Sequence, residues 1–106
     1  MQIKNARFPP LAVLFSGLVF LNVTAMAADP ISGGQTYQSQ CANCHGPNGS
    51  SPIPGVPDFS RNEGLFQPDS VLANSIRRGK GVMPAFQGIL KESEIFDVVA
   101  YLRTLR

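Results

Sequence analysis

The sequence predicts an all-α fold for residues 28–106, on three observations. In "ESEIFDVVAYLRTLR", residues Ile95, Val98, Val99 and Leu102 recur at i, i+3, i+4 and i+7, the apolar stripe of a helix packed on a core. Two shorter stretches carry helical spacing or helical end signals. No segment alternates convincingly between apolar and polar residues, as a half-buried strand would, and there is no internal repeat.

Residues 1–27 read as a leader outside that fold. Met1 to Pro10 carries Lys4 and Arg7 and no acidic residue, Leu11 to Val23 is almost wholly apolar, and "TAMAAD" sets small residues at Ala25 and Ala27. Charged start, apolar middle and A-x-A end predict a cleaved secretory signal, cut after Ala27 or, as runner-up, Ala28. A retained membrane anchor is the alternative. Against it, the run is shorter than the ~20 residues that span a bilayer, and Gly17, Asn22 and Thr24 dilute it. No cysteine stands beside the cut to accept a lipid. Removing 27 of the 106 residues leaves 79 in a single domain. It also removes two of nine basic residues, leaving seven against seven acidic ones. A near-neutral product argues against nucleic acid, which needs a standing basic surface. A chain this short buries little apolar area and needs a staple, which has to involve its two cysteines.

The first helix is expected from about Ser32 in "SGGQTYQSQCANCHG", with Tyr37, Cys41, Cys44 and His45 on one face. Gly33 and Gly34 are costly near a helix start, so close approach by another backbone is a reason for them. Gly46 to Gly64 contains four prolines and reads as irregular. So long a loop in so small a domain suggests that it wraps something. A second helix is expected from Pro68 to Arg78. Pro68 suits its first turn, Asp69 complements the positive end, Leu72 and Ile76 form its stripe, and Gly79 stops it. "GKGVMPAFQG" returns to loop. In the last helix Tyr101 and Leu105 widen the stripe, Glu92 and Glu94 sit at the start, and Arg103 and Arg106 at the end, matching the macrodipole.

"CANCH", Cys41 to His45, holds both cysteines and the only histidine, and four readings compete for it. A thiol–disulfide redox motif wants a βαβ background, which is absent. A zinc site wants a fourth ligand; Asp58 is the candidate, with no spacing to support it. A structural disulfide would close no useful loop. The remaining reading is covalent haem attachment, for which C-x-x-C-H is the recognised pattern, and an exported, all-α, core-poor chain favours it. At i, i+3 and i+4 the three side chains project to one side of a helix. Cys41 and Cys44 can then hold a porphyrin edge while the His45 imidazole reaches the iron.

With those residues in view, the sequence resembles the class I cytochromes c, especially the short bacterial monohaem forms. "GGQTYQSQCANCHG", "IRRGKGVMPAF" and "DVVAYLRTL" carry the resemblance across essentially all of residues 28–106. It implies attachment near the mature N-terminus, a methionine ligand in the loop before the last helix, and first helix packed on last. Gly34 and Tyr37 match its first-helix positions, and Tyr101 and Leu102 its final-helix contacts. Only Met83 survives loss of the leader. A lone methionine is often core filler, but this one lies between Gly81 and Pro84, and the family's "MPAF" falls on Met83 to Phe86. Met83 is therefore the expected sixth ligand. Pro57, twelve residues after His45, matches a family proline whose carbonyl accepts the ligand histidine's other N–H. Arg77, Arg78 and Lys80 cap a helix C-terminus on the bland reading and form a docking patch for acidic partners on the functional one. Lys91 stands where the family often has a Ser or Asp cap, which questions where the last helix starts.

The expectation is thus a periplasmic one-electron carrier with one haem c, His/Met ligated, meeting redox-protein donors and acceptors as a monomer or in transient complexes. It has no membrane span once processed. Tyr37, Phe59, Leu72, Ile76, Phe86, Val98 and Leu102 are the expected lining. A haem enzyme or gas-binding module with a labile sixth ligand, or the electron-entry subunit of a larger complex, are the alternatives. Because haem replaces much of the core, haem-free protein is expected to be largely unfolded, which circular dichroism checks; a well-formed helical spectrum would contradict it.

Overall fold

The computed structural model describes all residues except 1, 3, 15, 23, 24 and 106. The described residues contain four helices, α1 (Pro30–Gln40), α2 (Ala42–His45), α3 (Asp69–Arg78) and α4 (Glu92–Leu102), with a 3-10 turn at Phe59–Arg61. The described residues contain no strand, only two isolated bridges, Lys80 to Met83 and Gln87 to Leu90. The fold is all-α. Described residues before Pro30 form no helix, and among the described residues no helix is long and apolar enough to cross a membrane.

Helix α1 starts two residues before the expected Ser32. Asp29 caps it, accepting from the Ile31 N–H at 2.9 Å and the Ser32 hydroxyl at 2.7 Å, and Pro30 fills the first position. Those bonds, the one from Ser32 foremost, hold the Asp29 carboxyl below its ordinary value. The helix also does not run on to His45. Cys41 leaves helical geometry at φ −121°, yet its N–H still reaches the Tyr37 carbonyl at 2.8 Å, and its own carbonyl accepts from Cys44 and His45. The result is a kink at Cys41, with α2 a single turn beyond it.

Crossing of α1 over α4 organises the domain. A Cβ on Gly33 would lie 1.9 Å from the Asp97 carbonyl oxygen, so backbone touches backbone there. Gly34, which the resemblance singled out, is less demanding: its Cβ would meet only the Tyr101 ring, at 3.1 Å. The Asp29 N–H also donates to Asp97 Oδ1 at 2.7 Å, tying the start of α1 to α4. Tyr37 and Tyr101 pack with ring centroids 5.0 Å apart, tilted at 50°.

Around that crossing the core gathers Tyr37, Leu65, Leu72, Ala73, Ile76, Phe86, Ile95, Val98, Val99 and Leu102. Of the expected lining, only Phe59 stays outside this set, half-buried and packed against it. Pro68 is the N-cap of α3 rather than part of its first turn, and Gly79 ends the helix at φ 72° as expected. Helix α4 starts at Glu92 despite Lys91. The Lys91 N–H donates to Glu94 Oε2 at 2.7 Å, half of a capping box made by the glutamate alone, since an ammonium has no acceptor to return.

One expectation about charge changes, and one about the long loop. Arg103 is not a last-turn cation of α4, which ends at Leu102. Its guanidinium instead reaches Asp69 at 2.7 Å and the carbonyls of Leu65 and Gln67, pinning the loop ahead of α3. Arg106 lies outside the described residues. The Gly46–Gly64 loop is not wholly irregular either. Asp58 Oδ1 accepts from the Ser60 N–H at 3.0 Å and starts the 3-10 turn.

The two glycines should separate cleanly on substitution. Gly33→Ala forces two backbones apart and should cost at least the 1–3 kcal/mol typical of overpacking, while Gly34→Ala needs only a small shift of the Tyr101 ring and should cost less. Denaturant titration of the two holoprotein variants measures the order.

Candidate functional site

The kink and α2 place Cys41 half-buried against the core, His45 half-buried as well, and Cys44 exposed, with neither thiol bonded to the other. A one-turn helix is unstable alone, and its C-terminal carbonyls need outside partners. Tyr37, wholly buried, donates its hydroxyl to the Gly46 carbonyl at 2.7 Å. The Ser51 hydroxyl donates to the Cys44 carbonyl at 2.6 Å, and Gln38 Nε2 to the Pro47 carbonyl at 2.8 Å. Gly46 itself turns the chain at φ 81°, where a Cβ would fall 2.0 Å from the Ser50 carbonyl oxygen. The C-x-x-C-H motif is thus clamped from α1 on one side and from the following loop on the other. Tyr37, expected as cofactor environment, shows a further role here as that clamp.

The imidazole of His45 stacks on the Phe59 ring, centroids 4.7 Å apart and planes 19° apart. Its Nδ1 is buried without a hydrogen-bond partner. The expected bond to the Pro57 carbonyl is therefore not made. Stacking on Phe59 holds the ring plane in its place, and Pro57 is simply half-buried nearby in the chain. Burial pushes the His45 pKa down, keeping the ring neutral, the form in which a ring nitrogen can ligate a metal. Burial also pushes the Cys41 thiol up to about 11, with the neighbouring Cys44 adding to the shift. A thiol held protonated is a poor redox nucleophile, so the thiol–disulfide reading weakens further. Among the described residues no group of three or more His, Cys, Asp and Glu side chains is placed to hold a metal ion, so Asp58 does not complete a zinc site.

Met83 sits half-buried in a tight loop, packed against the same core as Cys41. The Lys80 N–H donates to the Met83 carbonyl at 3.1 Å, and the Met83 N–H returns the bond to the Lys80 carbonyl at 3.0 Å. Further along, the N–H groups of Phe86 and Gln87 donate to the Ile76 and Arg77 carbonyls, both at 3.1 Å. The loop therefore fills carbonyls that the end of α3 leaves open. Phe86 is buried in the core and anchors the far side.

Of the expected positive cluster, Arg77 is engaged. Its guanidinium grips both carboxylate oxygens of Glu92, Nε to Oε2 at 3.2 Å, joining α3 to α4. That bond draws the Glu92 pKa down and the Arg77 pKa up. Arg78 and Lys80 stay exposed, with no ion pair among the described residues. Two contributors were invisible to the motif: Phe59, fourteen residues from the histidine it stacks on, and Ser51. The proline-rich stretch hinted only that something there was wrapped.

Two thiols, a neutral imidazole with one nitrogen sunk in the protein, and a thioether on a hydrogen-bonded loop suit a haem better than a bare ion. An all-α domain offering that donor set is of the class I monohaem cytochrome c type. A family model described as "Cytochrome C oxidase, cbb3-type, subunit III" matches residues 28–102, and the chain belongs to that family. Over 82 residues it is 32% identical to cytochrome c6 of Nostoc sp., covering 74% of this chain and 72% of that protein. It is 31% identical over 94 residues to cytochrome c6 of Thermosynechococcus vestitus, covering 86% and 83%. Over 75 residues it is 36% identical to cytochrome c6 of Euglena viridis, covering 67% and 86%. The protein is an electron carrier rather than an enzyme, and its cofactor is one covalently bound haem c.

Burial raises the Tyr37 pKa from 10.0 to about 12. The sign follows: the neutral, bonded phenol stabilises the fold fully below pH 10 and loses that effect as pH climbs through about 12. Tyr37→Phe should leave the Gly46 carbonyl unpaired, cost about 1–3 kcal/mol at neutral pH, and flatten this alkaline loss. Unfolding titrations at a series of pH values, run on both proteins, check it.

Proposed function

We propose that the protein is a periplasmic carrier of single electrons, exported by a signal cut after Ala27 and ligating its haem iron through His45 and Met83. In this reading Cys41 and Cys44 supply the two thioether sulfurs. The observation that carries it is the His45 ring, with Nδ1 sunk in protein and its plane set by Phe59, which leaves Nε2 as the nitrogen available to iron. Bound haem supplies a one-electron ferric–ferrous couple, and a thioether at its sixth position favours the ferrous state.

The chain's own work is to hold those ligands still. Tyr37 and Ser51 fix the turn that carries Cys44 and His45, and the paired Lys80–Met83 bonds fix the loop that carries the sulfur. Rigid ligands on both sides mean little rearrangement when the charge changes, which suits rapid exchange with a partner. Arg78 and Lys80, exposed beside that loop, are the cations left to steer an acidic redox partner, Arg77 being committed to Glu92. A fixed electron-entry role in a larger assembly is the second reading, favoured by the oxidase subunit named in the family description. Gel filtration of a native periplasmic extract separates the two.

Replacing the sulfur tests the ligation. Wild-type ferric holoprotein should show the weak far-red sulfur-to-iron band, and its ferrous form should resist carbon monoxide. Met83→Ala should lose the band, bind carbon monoxide readily and fall in reduction potential. Rapid carbon monoxide binding by the unaltered ferrous protein would contradict Met83 as ligand.

A further inference from the structure

We propose that Gly79 is a positioning residue for the Met83 sulfur, setting the loop's distance from the end of α3 by the absence of a side chain. The inference rests on Met83 as the sixth ligand.

Two observations at Gly79 coincide. Its backbone sits at φ 72° and ψ 174°, a region that side chains rarely enter. A Cβ there would also lie 2.5 Å from the Met83 carbonyl oxygen, 2.8 Å from the Ala85 nitrogen and 2.8 Å from the Pro84 carbonyl carbon. All three are main-chain atoms, so no flexible side chain can swing aside. Ordinary contact begins at 3.4 Å, and the Met83–Ala85 backbone would have to retreat by most of an ångström to restore it.

The loop has nowhere to spread that movement. Downstream, the N–H groups of Phe86 and Gln87 are bonded to the Ile76 and Arg77 carbonyls, and Phe86 is buried. Upstream, Lys80 and Met83 exchange both of their main-chain bonds. Displacement therefore falls on Met83 itself, and a shift of that size carries a ligating sulfur out of bonding range.

Gly81, two residues on in the same loop, is the internal control. It too has a positive φ, 59°, but a Cβ there would meet nothing within 4 Å. Alanine at 81 costs backbone strain without contact, whereas alanine at 79 costs both. The two positions thus separate close approach from glycine flexibility.

The experiment compares wild-type, Gly79→Ala and Gly81→Ala holoproteins by far-red absorption of the ferric form, carbon monoxide binding by the ferrous form, haem attachment by mass, and far-ultraviolet circular dichroism. Expected is loss of the far-red band and gain of carbon monoxide binding in Gly79→Ala alone, with haem still attached and helicity unchanged. A band retained in Gly79→Ala, or lost equally in Gly81→Ala, would overturn the inference. If Gly79→Ala is not recovered folded, Gly79→Asn carries the test, since asparagine tolerates positive φ better and presents the same Cβ. Unfolding of both variants would also overturn it, because the role assigned is local to the loop. Absence of the band from wild type would instead defeat Met83 ligation, and the inference would fall with it.

Discussion

Close approach of α1 at Gly33 to the Asp97 carbonyl of α4, which leaves no room for a side chain, is the constraint on which the domain rests. It lets α1 and α4 approach more closely than any side chain allows, and so buries Tyr37, Val98 and Leu102 together. Once Tyr37 is fixed there, its hydroxyl is aimed at the Gly46 carbonyl, and the end of the C-x-x-C-H turn has its anchor. The path from one glycine to the position of His45 is short. It passes through one helix crossing, one buried phenol and one hydrogen bond.

The two sides of the site are built by different means. On the histidine side a single helical turn, too short to persist alone, borrows partners from α1 and the loop, and Phe59 sets the plane of the ring. On the methionine side no helix carries the side chain. A two-bond turn fixes Met83, and the loop behind it closes onto the open carbonyls of α3. Helix α3 is held in turn by Arg77 to Glu92 at one end and Arg103 to Asp69 at the other. In both pairs the arginine is half-buried and only the carboxylate faces solvent, and together they fix the orientation of α3.

How much of this was legible depended on range. Helices α3 and α4 could be read because apolar spacing and end signals are local, and the haem c cofactor could be read because the C-x-x-C-H pattern that suggests it spans only five residues. The start of α1 was missed although Asp29 and Pro30 are good start signals. The kink at Cys41 was not legible, since its carbonyl still serves Cys44 and His45 at helical spacing. Long-range partners were the true gap. Nothing in the sequence separates Phe59 on His45 from an ordinary loop aromatic, or Arg103 on Asp69 from a cation at a helix end. The proline offset pointed to Pro57, yet His45 Nδ1 has no hydrogen-bond partner and the ring lies on the face of Phe59.

The most direct test of the central claim is the mass of the exported protein, with peptide mapping across Cys41 and Cys44. The account predicts a chain beginning at Ala28 that carries one haem joined through both sulfurs. A product of bare-peptide mass, its thiols free or merely linked to each other, would contradict it.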